Sequence, residues 1–219
     1  MTTLTTEQFF DGEILHGPRI IEVDNDGTVS SIAPLEGAAE FAYVAPGYVD
    51  AQMNGFGQWD VAGSSVEEMV ALDETLASHG TTSWLATIVT GPLNKMSESI
   101  SQIVAAMPQL RGCIGIHVEG PFLGKAPGAH DRRFIIDADI EWIQQLPREV
   151  RLVTIAAENR TAKEAIASLI NQGIVVSLGH SQPSESQSEE AIHSGATMVT
   201  HLFNGMSGVH HRNPGLALQ

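Results

Sequence analysis

From residue 44 onward, short Val- and Ile-rich runs alternate with stretches of helical periodicity, and few architectures accept that order. Strands are expected at 44–52, 83–89, 113–118, 152–157, 174–178 and 198–202, with helices near 66–79, 93–107, 138–145, 161–172 and 184–194. Such alternation implies parallel strands joined by right-handed crossovers. The apolar runs lack strict polar alternation, as expected of strands covered on both faces. Ser65 and Thr161 stand where N-caps belong, with Glu68 and Glu164 three residues on as capping-box partners. Gly80, Gly173 and Gly195 follow three of the helices, where a left-handed residue favours glycine. The count reaches about six strand–helix units, against the eight of a closed barrel. The expected fold class is therefore α/β, an incomplete TIM-type (β/α)8 barrel.

Residues 1–43 have a period near two instead. Phe9 to Leu15 and Arg19 to Val23 are strand-like, and Val29 to Ala33 follows a turn expected at Asn25-Asp26-Gly27. We expect two domains: 1–45 as the N-terminal part of a small β-sandwich, and 46–219 as the partial barrel.

The chain of 219 residues carries a net charge of −15, which argues against a nucleic-acid partner, because phosphate backbones need a positive footprint. No run approaches the roughly 18 apolar residues of a membrane-spanning helix, so no membrane partner is expected. The single cysteine, Cys113, sits in an apolar run and fits a buried thiol in a reducing compartment. The first residues lack the basic and apolar regions of a signal peptide. The expected location is cytoplasmic.

Three of the expected strands give way to loops at residues that bind metals. They are Gly115-Ile116-His117-Val118-Glu119-Gly120-Pro121, Val176-Ser177-Leu178-Gly179-His180-Ser181 and Val199-Thr200-His201-Leu202-Phe203-Asn204. In a parallel barrel, side chains at the carboxyl ends of different strands converge on one face. Glu119, His180 and His201 are thus candidate ligands of one divalent ion, zinc foremost, with iron, manganese or cobalt as alternatives. Such an ion activates water and polarises a carbonyl, so the barrel is read as that of a metal-dependent hydrolase. His130, in a Gly-containing loop after Glu119, is placed to bond a substrate carbonyl and stabilise an oxyanion, or else is an exposed loop histidine. His210, His211 and Arg212 form a basic cluster that, with Asn204 and the Gly205 backbone, suits a phosphate or another anion. His117 points the same way as Glu119 and is read as a core histidine. Trp59, after the first barrel strand, is a candidate substrate contact. Asp50, after Pro46-Gly47-Tyr48-Val49 on the first barrel strand, is a candidate general base, but no residue in the chain makes a strong claim to that role.

Several of these segments resemble the N-acetylglucosamine-6-phosphate deacetylase family of the amidohydrolase superfamily. The matching motifs are Pro46-Gly47-Tyr48-Val49-Asp50-Ala51-Gln52-Met53-Asn54-Gly55, His117-Val118-Glu119-Gly120-Pro121-Phe122, Gly128-Ala129-His130 and Gly179-His180-Ser181. Thr200-His201-Leu202-Phe203-Asn204-Gly205-Met206 and His210-His211-Arg212-Asn213-Pro214-Gly215 follow in family order. The resemblance implies hydrolysis of the acetamide of N-acetylglucosamine 6-phosphate to glucosamine 6-phosphate and acetate, in amino sugar catabolism. It implies Glu119, His180 and His201 as metal ligands and His130 on the acetyl carbonyl. Asn204, Gly205, His211 and Arg212 would then hold the sugar phosphate. Gln52 and Asn54 replace the two histidines that many amidohydrolases carry on the first strand, so one ion is expected, with Gln52 bonded to its water. Gly205 departs from the alanine common at that position. The family's catalytic aspartate would lie beyond Gln219, as would a histidine reaching the phosphate from a neighbouring subunit in a homodimer. The alternatives are a deacetylase of another N-acetylhexosamine 6-phosphate, or a chain that binds without turnover.

Overall fold

The computed structural model describes residues 1–212 and 214–219, in two compact units, Met1–Tyr48 and Val49–Gln219.

The first unit is a five-stranded sheet of β1 (Thr2–Phe10), β2 (Leu15–His16), β3 (Arg19–Val23), β4 (Val29–Pro34) and β5 (Phe41–Val44), in the order β2-β1-β3-β4 with β5 parallel beside β1. Leu4 faces Ile21, and Ile21 faces Ile32 across the next pair. The expected turn forms: Gly27 has φ +87°, and its N–H reaches the Asp24 carbonyl at 3.0 Å. The first strand is corrected. It runs from Thr2 to Phe10 and stops at Asp11, whose carboxylate accepts the N–H groups of Glu13 and Ile14, both at 2.8 Å. An aspartate closing a turn on its own backbone wins over the apolar alternation that extended the strand to Leu15.

In the second unit, β6 (Tyr48–Met53) is followed by a short antiparallel hairpin, β7 (Gly55–Phe56) and β8 (Trp59–Asp60). Then come α1 (Val66–Ser78), β9 (Thr81–Val89), α2 (Leu93–Ala106), β10 (Cys113–Glu119) and α3 (Ile140–Gln144). The chain continues through β11 (Val150–Ile155), α4 (Ala162–Asn171), β12 (Val175–Leu178), α5 (Glu185–His193) and β13 (Met198–Val199). Each helix lies within two residues of its expected bounds. The sheet order β13-β12-β11-β10-β9-β6 follows chain order, and every pair from β9 to β13 is parallel. A doubly wound sheet would reverse direction partway; this one winds only one way, as barrel strands do.

The helices bury stripes at helical spacing: Met69, Leu72 and Leu76 on α1, Met96, Ile100 and Ile103 on α2, and Ala162, Ala165, Ile166 and Leu169 on α4. Together with Trp84, Ile116, Val118, Val153 and Ile155 they form the core. Ser65 caps α1 with a complete capping box through Glu68. Thr161 is corrected: it makes no side-chain cap, because its hydroxyl donates to the Ala138 carbonyl at 3.0 Å. Trp59 is corrected as well. It packs against the core cluster and does not line the cavity described below.

Asp73 interrupts the α1 stripe at a buried position and has a specific job. Its carboxylate accepts the Trp84 indole N–H at 2.7 Å, the Arg111 N–H at 2.8 Å and the Gly112 N–H at 3.0 Å. The helix is thereby tied to the start of both β9 and β10. Asp73→Ala strands these donors in the interior, each worth about 1–3 kcal/mol when unsatisfied, partly offset by removing a buried charge. We expect a loss of about 2–4 kcal/mol, read as a lower urea midpoint at unchanged slope.

Candidate active site

Strand pleating places His117 and Glu119 on one face of β10, two residues apart. Below the carboxylate lies a buried polar chain. His117 Nδ1 is 3.3 Å from Thr87 Oγ1 and its Nε2 is 2.8 Å from Thr154 Oγ1. Thr154 Oγ1 is 2.8 Å from Thr200 Oγ1, which is 2.7 Å from Ser177 Oγ. Burial pushes the His117 imidazole down to about 4, so near neutral pH it is uncharged. His117 is a core histidine, as expected, and it joins the strands that carry the site.

Above this chain stands Glu119, with only 2% of its surface exposed. Its Oε1 lies 3.0 Å from His180 Nε2, 3.1 Å from His201 Nε2 and 2.8 Å from the Gln52 amide nitrogen. Its Oε2 faces His130 Nε2 at 3.7 Å, too long for a hydrogen bond, so His130 acts on it through space. Burial alone would raise the carboxyl pKa; the His130 and His180 imidazoles outweigh it and hold Glu119 well below the usual carboxylate range.

His180 and His201 occupy left-handed backbone, φ +51° and +54°, as does Phe203 at +68°. Such conformations cost a non-glycine residue on the order of 1 kcal/mol each and cluster where a site demands them. They follow β12 and β13 by two residues, so the turn, not the strand, aims each imidazole. The expected strand 198–202 is corrected accordingly: β13 ends at Val199, and His201 lies in the turn beyond it.

The donor set fits a cation. His180 Nδ1 lies 3.2 Å from the Ala126 carbonyl, which needs a proton on Nδ1, so that without a second proton the Nε2 lone pair faces Glu119 Oε1. Two lone pairs 3.0 Å apart repel unless a proton or a metal ion stands with them. Donor atoms of Glu119, His130 and His180 all lie within 4.8 Å of one another, a grouping able to hold a divalent ion. That trio includes His130 where the sequence pointed to His201. His180 and His201 both face Oε1, whereas His130 faces the other oxygen from farther away. One ion on one carboxylate oxygen therefore matches His180 and His201 better.

A cavity of about 600 Å³ opens over this cluster, lined by Gln52, Glu119, His130, His180, His201, Asn204 and Gly205 among others. That suits a sugar-sized ligand. Of the expected anion contacts, Asn204 and Gly205 line the cavity, but the Gly205 N–H is bonded to the Asn204 side chain at 3.0 Å. His211 and Arg212 are exposed and do not line it; the Arg212 N–H approaches His210 Nδ1 at 3.2 Å. Asn213 lies outside the described residues. Asp50 accepts the Gln52 N–H at 2.9 Å, a local turn. Sequence reasoning missed Glu158, which ties together the loops bearing His130 and His180. The same signal that marked Glu119 was available there, a carboxylate just past an apolar strand, Leu152-Val153-Thr154-Ile155-Ala156-Ala157-Glu158.

No protein-family model matches the chain. It is 42% identical over 185 residues to N-acetylglucosamine-6-phosphate deacetylase of Bos taurus, a match covering 79% of this chain and 45% of that protein. The Vibrio furnissii enzyme of the same name is 30% identical over 223 residues, covering 93% and 56%. The crystal structure of N-acetyl-D-glucosamine-6-phosphate deacetylase from Mycobacterium smegmatis superposes with a TM-score of 0.90 at 30% identity, over 100% of this chain and 65% of that one. A mutant of the Mycobacterium smegmatis enzyme in complex with N-acetyl-D-glucosamine-6-phosphate gives 0.87 at 31%, over 99% and 59%. The chain thus spans about half the length of the curated relatives it matches. Among the described residues no helix is long and apolar enough to cross a membrane. By sequence and by backbone alike, this chain is similar to the N-acetylglucosamine-6-phosphate deacetylases.

Proposed function

We propose that this chain carries the metal centre and acetyl pocket of an enzyme that hydrolyses N-acetylglucosamine 6-phosphate to glucosamine 6-phosphate and acetate. The observation that carries the reading is the buried Glu119 Oε1, met by Nε2 of both His180 and His201 at the floor of a sugar-sized cavity. Glu119, His180 and His201 would hold the ion, with zinc the best match to one carboxylate and two imidazoles. Bound there, a divalent ion supplies a water acidic enough to act near neutral pH and draws charge from the acetyl carbonyl.

The chain's own residues do the rest. The Gln52 amide, bonded to Glu119, sits where it can orient the attacking water. His130 Nε2, on the Oε2 side of the carboxylate, is placed to donate to the acetyl oxygen as it gains negative charge. In the overall reaction the water oxygen bonds to the acetyl carbon, the C–N bond breaks, and a water proton ends on the departing amine. Asn204 and Gly205 line the wall that would face the sugar. The His210, His211 and Arg212 cluster, exposed outside that cavity, is proposed as the phosphate ligand from the family resemblance alone. This extends the substrate reported with the Mycobacterium smegmatis relative to the present chain. A cytoplasmic homodimer is proposed from the family resemblance.

The test is acetate release from N-acetylglucosamine 6-phosphate, with the galactosamine epimer alongside, by zinc-loaded protein that carries the strand on which the family resemblance puts the catalytic aspartate. We expect turnover that a chelator removes and zinc restores, and preference for the glucosamine substrate. Absence of turnover in protein shown to hold one ion would reject the activity. Preference for the epimer would redirect the substrate.

A further inference from the structure

Glu158, half-buried three residues past the end of β11, is not part of the constellation above, yet it holds both sides of it. Its Oε1 accepts the Lys125 N–H at 2.9 Å and the Gln182 N–H at 2.7 Å. Its Oε2 accepts the Ser181 hydroxyl, which itself receives the Ala157 N–H at 3.0 Å. Lys125 precedes Ala126, whose carbonyl meets His180 Nδ1 at 3.2 Å. Ser181 and Gln182 follow His180 directly, and the His180 carbonyl accepts the Gly124 N–H at 2.9 Å. One carboxylate therefore grips the chain neighbours of both partners in the bond that fixes the His180 ring. The same loop runs on through Gly128 to His130.

The sequence around it is shaped to admit this carboxylate. A Cβ on Gly124 would stand 2.1 Å from Glu158 Oε1 and 2.5 Å from Cδ, so only glycine leaves room. The turn at His180 needs such support, because its left-handed backbone does not persist unless the surroundings over-determine it.

We propose that Glu158 is the positioning residue of the metal centre. By clasping Lys125 to Ser181 and Gln182, it holds the Ala126 carbonyl against His180 Nδ1 and so aims Nε2 at the cation. This rests on the metal-centre reading above. Groups that orient a metal-bound histidine typically change metal affinity by about 10–100-fold when lost.

The experiment is titration with Co2+ alone, following affinity and the visible absorption bands, with hydrogen exchange of the Lys125 and Gln182 amides as a readout independent of metal. Glu158→Ala should weaken Co2+ binding by about 10–100-fold, alter the bands and speed exchange at both amides. Glu158→Gln keeps an oxygen for the two backbone donors and presents its amide to a hydroxyl able to accept, so it should restore most of the affinity. Gly124→Ala leaves Glu158 in the chain but displaces its carboxylate, and should reproduce the alanine phenotype. Should Glu158→Ala fail to fold, the other two variants decide. Unchanged Co2+ affinity and bands in Gly124→Ala and Glu158→Ala would overturn the clasp, as would equal losses in the Gln and Ala variants. A wild-type protein that takes up no Co2+ would instead overturn the metal centre itself, and the clasp with it.

Discussion

Glu119→Gln is expected to empty the metal centre and to abolish hydrolysis together. Glutamine is nearly isosteric and keeps an oxygen, but it removes the charge that makes a buried donor set hospitable to a divalent cation. The remaining ligands would be two neutral imidazoles, a much poorer set. The loss should exceed the roughly 10–100-fold that follows removal of a supporting group, because the group lost is itself a ligand. Metal content by elemental analysis and acetate release measure the two effects separately. A Glu119→Gln protein that retains a full equivalent of zinc and its turnover contradicts the site.

His130→Asn and His201→Asn should part company. If the ion sits on Oε1, His201→Asn releases it, and activity falls with occupancy. His130→Asn should leave occupancy intact while kcat falls by about 10²–10³-fold, the usual cost of one oxyanion donor. KM should change far less, since a bond that strengthens only as charge develops is absent from the ground state. The reverse pattern, ion lost with His130 and kept without His201, would assign the ion to the grouping of Glu119, His130 and His180. Both outcomes are read from metal content and steady-state kinetics of the same preparations.

The regular elements were legible because their signals are local. The stripe Met69, Leu72, Leu76 and the Ser65–Glu68 box announce α1 within a dozen residues, and the structure forms it from Val66 to Ser78. Glycines after α1, α4 and α5 have φ of +90°, +74° and +116°, as a left-handed helix exit requires. Where reading failed, a side chain had a partner far along the chain or a turn of its own. Thr161 looks like a cap but bonds Ala138 in another segment. Asp11 ends a strand whose alternation continues past it. Trp59 lies in a loop-like sequence and packs into the core.

The spacing of apolar runs, helix caps and turn glycines determines, by itself, that this chain alternates strand and helix and that a glutamate and two histidines stand at or just past strand ends. Those signals are short-range, because hydrogen-bond periodicity and capping act over a few residues. Tertiary structure alone decided that Gln52, Glu119, His180 and His201, spread over 149 residues, meet around one carboxylate oxygen. It alone drew Glu158 between the loops that carry His130 and His180. Such contacts depend on strand order and on the left-handed turns at His180 and His201, where long-range packing overrides the local preference of the backbone.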